Sequence, residues 1–119
     1  MANIMAVDDV MDAGILIQRI LSEEGHDVVF FTEEEDAVDH VKNNKVDLAI
    51  LDIKLKKMSG VDLLDELKKV DPEIKIIMLT GYPTMETARD SLKLGASEYL
   101  LKPIDYEELV EKVEKVLGS

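Results

Sequence analysis

Six residues whose types can do chemistry stand where short apolar runs of this chain end: Asp8, Asp9, Asp52, Thr80, Gly81 and Lys102. Converging carboxylates repel one another and cost stability unless a cation joins them. Oxygen donors without imidazole or thiolate favour Mg²⁺ over transition metals. A carboxylate is also a nucleophile that can form an acyl phosphate. Phosphoryl transfer asks the protein chiefly for positioning and for neutralisation of the equatorial oxygens. Mg²⁺, the Lys102 ammonium and the Thr80 hydroxyl suit that task, and Gly81 leaves room for a phosphoryl group. Each residue alone also has an ordinary reading. Asp8 or Asp9 is consistent with a helix cap, Asp52 with a polar strand terminator, Thr80 with a hydroxyl bonded to backbone, and Lys102 with a solvated lysine. It is the joint placement on successive strand ends that favours a site.

Strand-like runs cover residues 4–7, 27–31, 46–51, 74–80 and 97–101. The third and fourth are nearly continuous in apolar residues, as in central strands covered on both faces. Five helical patterns lie between and after them. The first spans about residues 11–24, with Leu16, Ile17, Ile20 and Leu21 on one face and Gly25 as its stop. The second is expected to open at Thr32 with Glu35 completing a capping box. The third opens at Ser59, with Asp62 at the matching place, and ends before Pro72. The fourth spans about residues 84–94 and stops at Gly95, a residue suited to a left-handed cap. The fifth opens at Asp105 with Glu108 and is expected to bury Leu109, Val113, Val116 and Leu117. Alternating β and α segments predict an α/β three-layer sandwich around a parallel sheet. In such sheets ligands bind outside the carboxyl ends of the strands, where the polar residues above fall.

The chain of 119 residues fits one domain, residues 1–119. It contains no Cys and two His, which excludes disulfides and thiolate sites and disfavours zinc. The net charge of −12, from 26 acidic and 14 basic residues, disfavours direct nucleic-acid binding. It suits a protein that attracts Mg²⁺ or a basic partner. The first residues lack the charged region of a secretory signal, and no apolar run approaches the ~20 residues of a membrane span. A cytoplasmic location is expected, with no membrane partner.

Five pieces in order resemble the receiver domains of bacterial response regulators: Val7-Asp8-Asp9, Leu48-Ala49-Ile50-Leu51-Asp52, Met58-Ser59-Gly60, Leu79-Thr80-Gly81 and Tyr99-Leu100-Leu101-Lys102-Pro103. Each is weak alone; the ordered set is specific and covers essentially the whole chain. The resemblance implies a five-stranded sheet in the flavodoxin-like order 2-1-3-4-5 with five helices. It implies Asp52 as phosphoacceptor, Asp9 as Mg²⁺ ligand with Asp8 assisting, and the Lys54 backbone carbonyl as a further ligand. Lys102 would pair with a phosphoryl oxygen, Thr80 would move toward the phosphate, and Tyr99 would follow as an aromatic switch. Lys102–Pro103 resembles the family's cis peptide, and an X–Pro bond permits cis readily. Ile15 falls on the surface that meets a sensor histidine kinase or phosphotransfer protein. A homodimer through the fourth helix, fifth strand and last helix is compatible with the family. The stretch from Leu79 to Ala88 resembles receivers of the NtrC type.

The chain departs from the family pattern after Asp52, where Lys56 stands in place of the usual Pro. That loop gains Lys54, Lys56 and Lys57, which are either solvated or act on the phosphoryl lifetime and donor. Tyr82, two residues beyond Thr80, is positioned to shield an acyl phosphate. Three rival readings differ in class. A flavin-binding module would need a phosphate loop after the first strand, where Asp8 and Asp9 stand. A phosphatase-like hydrolase would need an acid two residues beyond Asp52, where Lys54 stands. A phosphorylation-independent adaptor with the same fold would have no use for the complete acidic, Thr and Lys set.

Overall fold

A computed structural model describes residues 1–118 of the chain. Its elements are β1 (Asn3–Val7), α1 (Met11–Glu23), β2 (Asp27–Phe31), α2 (Glu34–Asn43), β3 (Leu48–Leu51), α3 (Gly60–Val70), β4 (Lys75–Thr80), α4 (Met85–Lys93), β5 (Glu98–Leu101) and α5 (Tyr106–Leu117). The five strands form one parallel sheet in the order β2-β1-β3-β4-β5. This is the expected flavodoxin-like sandwich, with α1 and α5 on one face and α2 and α3 on the other.

The layering follows from the period-2 geometry of strands. Ile4, Ala6, Leu48, Ile50, Ile77 and Leu79 point to one face, into a core completed by Ile17, Ile20 and Leu21 of α1 and Leu109, Val113 and Val116 of α5. Met5, Val7, Ala49, Leu51, Ile76 and Met78 point to the other, against Ala37 and Val41 of α2 and Leu63, Leu64 and Leu67 of α3. A strand buried on both faces reads as a continuous apolar run, which is why β3 and β4 stand out in the sequence. The helix stops also match: Gly25 and Gly95 take φ of +90° and +102°, the left-handed region that glycine enters without penalty.

Four local expectations are corrected. The second helix opens at Glu34 with Glu33 as its N-cap, one residue later than a Thr32 cap would start it, and no side chain caps it. Leu16 is exposed; Gly14 is the buried residue there, because the Phe30 ring lies where a Cβ would sit. Ser59 and Asp105 do cap their helices, but each accepts from the second helical N–H, Val61 and Glu107, and not through the reciprocal box expected of Asp62 and Glu108. Among the described residues the complete capping box belongs to α4, between Thr84 and Thr87. Leu117, expected in the core, is half-buried.

Candidate functional site

The parallel ladder runs one step past the strand ends and holds the polar residues there. Asp8 N–H donates to Phe31 O (3.2 Å), Asp52 N–H to Val7 O (3.1 Å) and Lys102 N–H to Thr80 O (2.8 Å). Backbone bonding between neighbouring strands thus brings residues far apart in sequence into one place. Lys102 Nζ donates to Asp8 Oδ2 at 2.7 Å and to Asp52 Oδ2 at 3.0 Å. The remaining oxygens meet backbone: Val10 N–H donates to Asp8 Oδ1 (2.8 Å) and Lys54 N–H to Asp52 Oδ1 (3.3 Å). Asp8 and Asp52 are buried, while Asp9 is half-buried. The Lys102–Pro103 peptide is cis, as the resemblance implied.

Asp8, Asp9 and Asp52 each bring one carboxylate oxygen within 4.8 Å of the others, the only such cluster among the described residues. Burial raises the Asp8 pKa and the Asp52 charge adds to it; hydrogen bonds from Lys102 and Val10 act the other way. Burial also works against the Lys102 ammonium, yet its bonds to Asp8 and Asp52 outweigh that and leave its pKa raised. One lysine thus stands against three carboxylates, Asp8, Asp9 and Asp52. An oxygen-only donor set carrying excess negative charge fits a hard divalent cation such as Mg²⁺.

An open cleft of about 530 Å³ lies over this cluster, lined by Asp9, Val10, Ala13, Asp52, Lys54, Gly81, Tyr82 and Lys102. Gly81 is exposed there, and a Cβ would approach Lys102 only to 3.8 Å. Glycine thus keeps the cleft open and is not forced by a close contact. Lys54 Nζ sits 4.5 Å from the Tyr82 ring centroid, a cation–π pair across the mouth. Thr80 does not line the cleft: it is fully buried, and its Oγ1 accepts from Tyr82 N–H at 3.0 Å.

Tyr99 is half-buried, and its hydroxyl lies 3.0 Å from Thr87 Oγ1 in the first turn of α4. Ile15 is exposed on α1, beside the exposed Val10 and Met11. The lysines of the β3–α3 loop separate. Lys54 faces the cleft, whereas Lys56 and Lys57 pair with Glu33 and Glu35 at the start of α2. Sequence reasoning gave no role to two residues. Thr87 is the partner of Tyr99, and only its position three beyond Thr84 signals it. Gly60 is required by space, because a Cβ there would fall 1.9 Å from Asp52 O.

The sheet order and the acidic pocket at its carboxyl edge define a flavodoxin-like receiver. A family model for the response regulator receiver domain matches residues 4–114, and the chain belongs to that family, the receiver domains of two-component response regulators. It is 35% identical over 116 residues to the transcriptional regulatory protein ZraR of Salmonella typhimurium, covering 98% of this chain and 26% of that protein. It is 32% identical over 115 residues to sporulation initiation phosphotransferase F of Bacillus subtilis, covering 97% of this chain and 93% of that protein. The crystal structure of a CheY-like response regulator receiver domain protein from Methanospirillum hungatei JF-1 superposes with a TM-score of 0.96 at 34% identity, covering 99% of this chain and 94% of that one. The chain thus spans about a quarter of the length of the ZraR regulator it matches. Among the described residues no helix is long and apolar enough to cross a membrane.

Proposed function

We propose that Asp52 accepts a phosphoryl group from a phosphohistidine of a sensor histidine kinase or phosphotransfer protein. The observation that carries this reading is the Asp52 carboxylate held at the floor of an open cleft, with Lys102 Nζ at 3.0 Å and Asp8 and Asp9 beside it. Asp52 is the nucleophile. Asp9, Asp52 and the Lys54 carbonyl hold Mg²⁺, with Asp8 assisting. When bound, Mg²⁺ supplies neutralisation of charge on the phosphoryl oxygens. Lys102 keeps its charge throughout, since both carboxylates stabilise it, and it passes from Asp52 to a phosphoryl oxygen. Gly81 leaves the approach open. Residues 1–119 act as one receiver domain.

Thr80 and Tyr99 form the switch. The Thr80 hydroxyl exchanges the Tyr82 N–H for the new phosphoryl group, and Tyr99 moves inward, leaving Thr87. The loss of that bond biases a two-state equilibrium of α4. The exposure of the apolar residues Met85, Leu92 and Leu101 supports the reading of the face of α4, β5 and α5 as the output and homodimer surface. Ile15, with Val10 and Met11, forms the kinase contact. The domain is a cytoplasmic switch that catalyses its own phosphorylation and dephosphorylation, without direct contact to nucleic acid or membrane and without turnover of a diffusing product.

Borohydride reduction after incubation with acetyl phosphate and Mg²⁺ tests this reading, because it converts an aspartyl phosphate to homoserine. Peptide mapping is expected to find homoserine at position 52; homoserine at position 8 or 9, or none, overturns it. Tyr82→Ala opens the mouth of the cleft and is expected to shorten the phosphoryl lifetime, read as decay of the phosphorylated mass. An unchanged lifetime removes the shielding role.

A further inference from the structure

The loop between β3 and α3, residues 52–59, is tied down on two sides. Its inner side is tied to itself: Lys54 and Ser59 form an isolated antiparallel bridge, and Gly60 N–H donates to Ile53 O at 2.6 Å. Its outer side meets three successive carboxylates from the start of α2. Lys56 Nζ reaches Glu33 Oε1 at 3.4 Å, and Lys57 Nζ pairs with Glu35. Lys57 N–H donates to Glu34 Oε1 in a long bond of 3.5 Å.

Carboxylates suit the start of a helix, but here the first helical residue is itself buried. Glu34 has no exposed surface, and Oε2 of both Glu33 and Glu34 is enclosed without a partner among the described residues. Such groups cost stability, and native chains retain few of them. The charge of Lys57 answers all three: the hydrogen bond and charge of Glu35 raise its pKa, and Glu33 and Glu34 add to it. Each exposed ion pair alone contributes little. Together with the Glu34 contact they fix both ends of a two-residue segment, Lys56-Lys57, that follows directly on Lys54 and Leu55.

We propose that Glu33, Glu34 and Glu35 are positioning residues for the divalent cation: they latch Lys56 and Lys57 and so hold the Lys54 backbone beside Asp52. This rests on the reading of Asp9, Asp52 and the Lys54 carbonyl as the Mg²⁺ site. Outer residues that orient ligands commonly change metal affinity by about 10–100-fold. The exposed pairs here place the expected effect at or below the low end of that range.

The sign of one variant separates the latch from simple electrostatics. Lys56→Ala/Lys57→Ala removes two positive charges near an acidic site. Electrostatics alone then tightens Mg²⁺ binding, whereas loss of the latch weakens it. Mg²⁺ titration of the whole chain, followed by NMR shifts of the Asp52 and Gly81 amides, reads this without phosphorylation. The latch predicts a Kd raised about threefold or more in Lys56→Ala/Lys57→Ala and in Glu33→Gln/Glu34→Gln/Glu35→Gln. It also predicts that combining the two sets adds little further. The charge swap Lys57→Glu/Glu35→Lys should restore affinity relative to Lys57→Glu alone, a rescue that a general loss of stability would not give. An unchanged or lower Kd in Lys56→Ala/Lys57→Ala overturns the latch while leaving the proposed function standing. A wild-type chain that binds no Mg²⁺ overturns both.

Discussion

α4 and α5 flank the same edge strand, β5, but they are attached to the molecule by different physics. α5 buries Leu109, Val113 and Val116 against the sheet, whereas the one buried residue of α4 is Ser91. Met85, Leu92 and Leu94 of the α4 segment face solvent. The bonds that tie α4 to its surroundings are polar: the Thr87 hydroxyl meets the Tyr99 hydroxyl at 3.0 Å, and Ser91 O accepts from Ala96 N–H at 2.9 Å, while the Thr84–Thr87 capping box orders the first turn of the helix itself. Apolar burial is non-directional and hard to release locally, while a few hydrogen bonds can be exchanged when one partner moves. The contrast teaches where a switch can be built. α5 follows Lys102 and is anchored; α4 follows Thr80 and is free to respond.

The largest expected effect breaks the anchored side. Leu109→Ala should cost about 2–5 kcal/mol by urea denaturation, whereas Leu92→Ala should stay within about 0.5 kcal/mol. Equal losses would abolish the contrast. Next in size is Thr84→Ala, which removes the cap of α4 at about 1 kcal/mol. Hydrogen exchange should already be faster in α4 than in α5, and this variant should speed α4 alone.

The smallest effect concerns the charges at the strand ends that precede α1 and α5. The Asp8 pKa is raised above 3.8 in the folded chain, so Asp8 favours folding less once it ionises. Its cost is present above the folded pKa, and it shrinks as pH falls through that value toward the unfolded one. Asp8→Asn should therefore be at least as stable as wild type at pH 7, with an advantage that fades on acidification below the folded pKa. The Lys102 contribution runs the opposite way: it is present below 10.5 and is lost as pH rises through the raised folded pKa. Stability curves of the two chains from pH 3 to 8 that stay parallel would contradict the Asp8 assignment.

Most of the fold was legible because its signals are local. Gly25 and Gly95 mark left-handed turns, and the apolar runs of β3 and β4 mark burial on both faces. The start of α2 was not, because Thr32 and Glu35 offer a plausible box while the helix is set by Glu34 lying under the β3–α3 loop, a contact 23 residues away. Leu16 was misread because its neighbour Gly14 receives the Phe30 ring from β2. At the site, strand ends located Asp8, Asp9, Asp52 and Lys102, and parallel pairing then brought them together. The partners of polar side chains were beyond reach. Thr80 does bond to nearby backbone, as its ordinary reading had it, but nothing local says that Tyr99 meets Thr87, or that Lys54 turns to Tyr82 while Lys56 and Lys57 turn to α2.

Asp52 is proposed as a Mg²⁺-dependent phosphoacceptor. Intact mass after incubation with acetyl phosphate, with and without Mg²⁺, tests it most directly in wild type and Asp52→Asn. The account predicts a gain of one phosphoryl group in wild type with Mg²⁺, absent without the metal and absent in the variant. No gain under any condition, or an equal gain in Asp52→Asn, would contradict it.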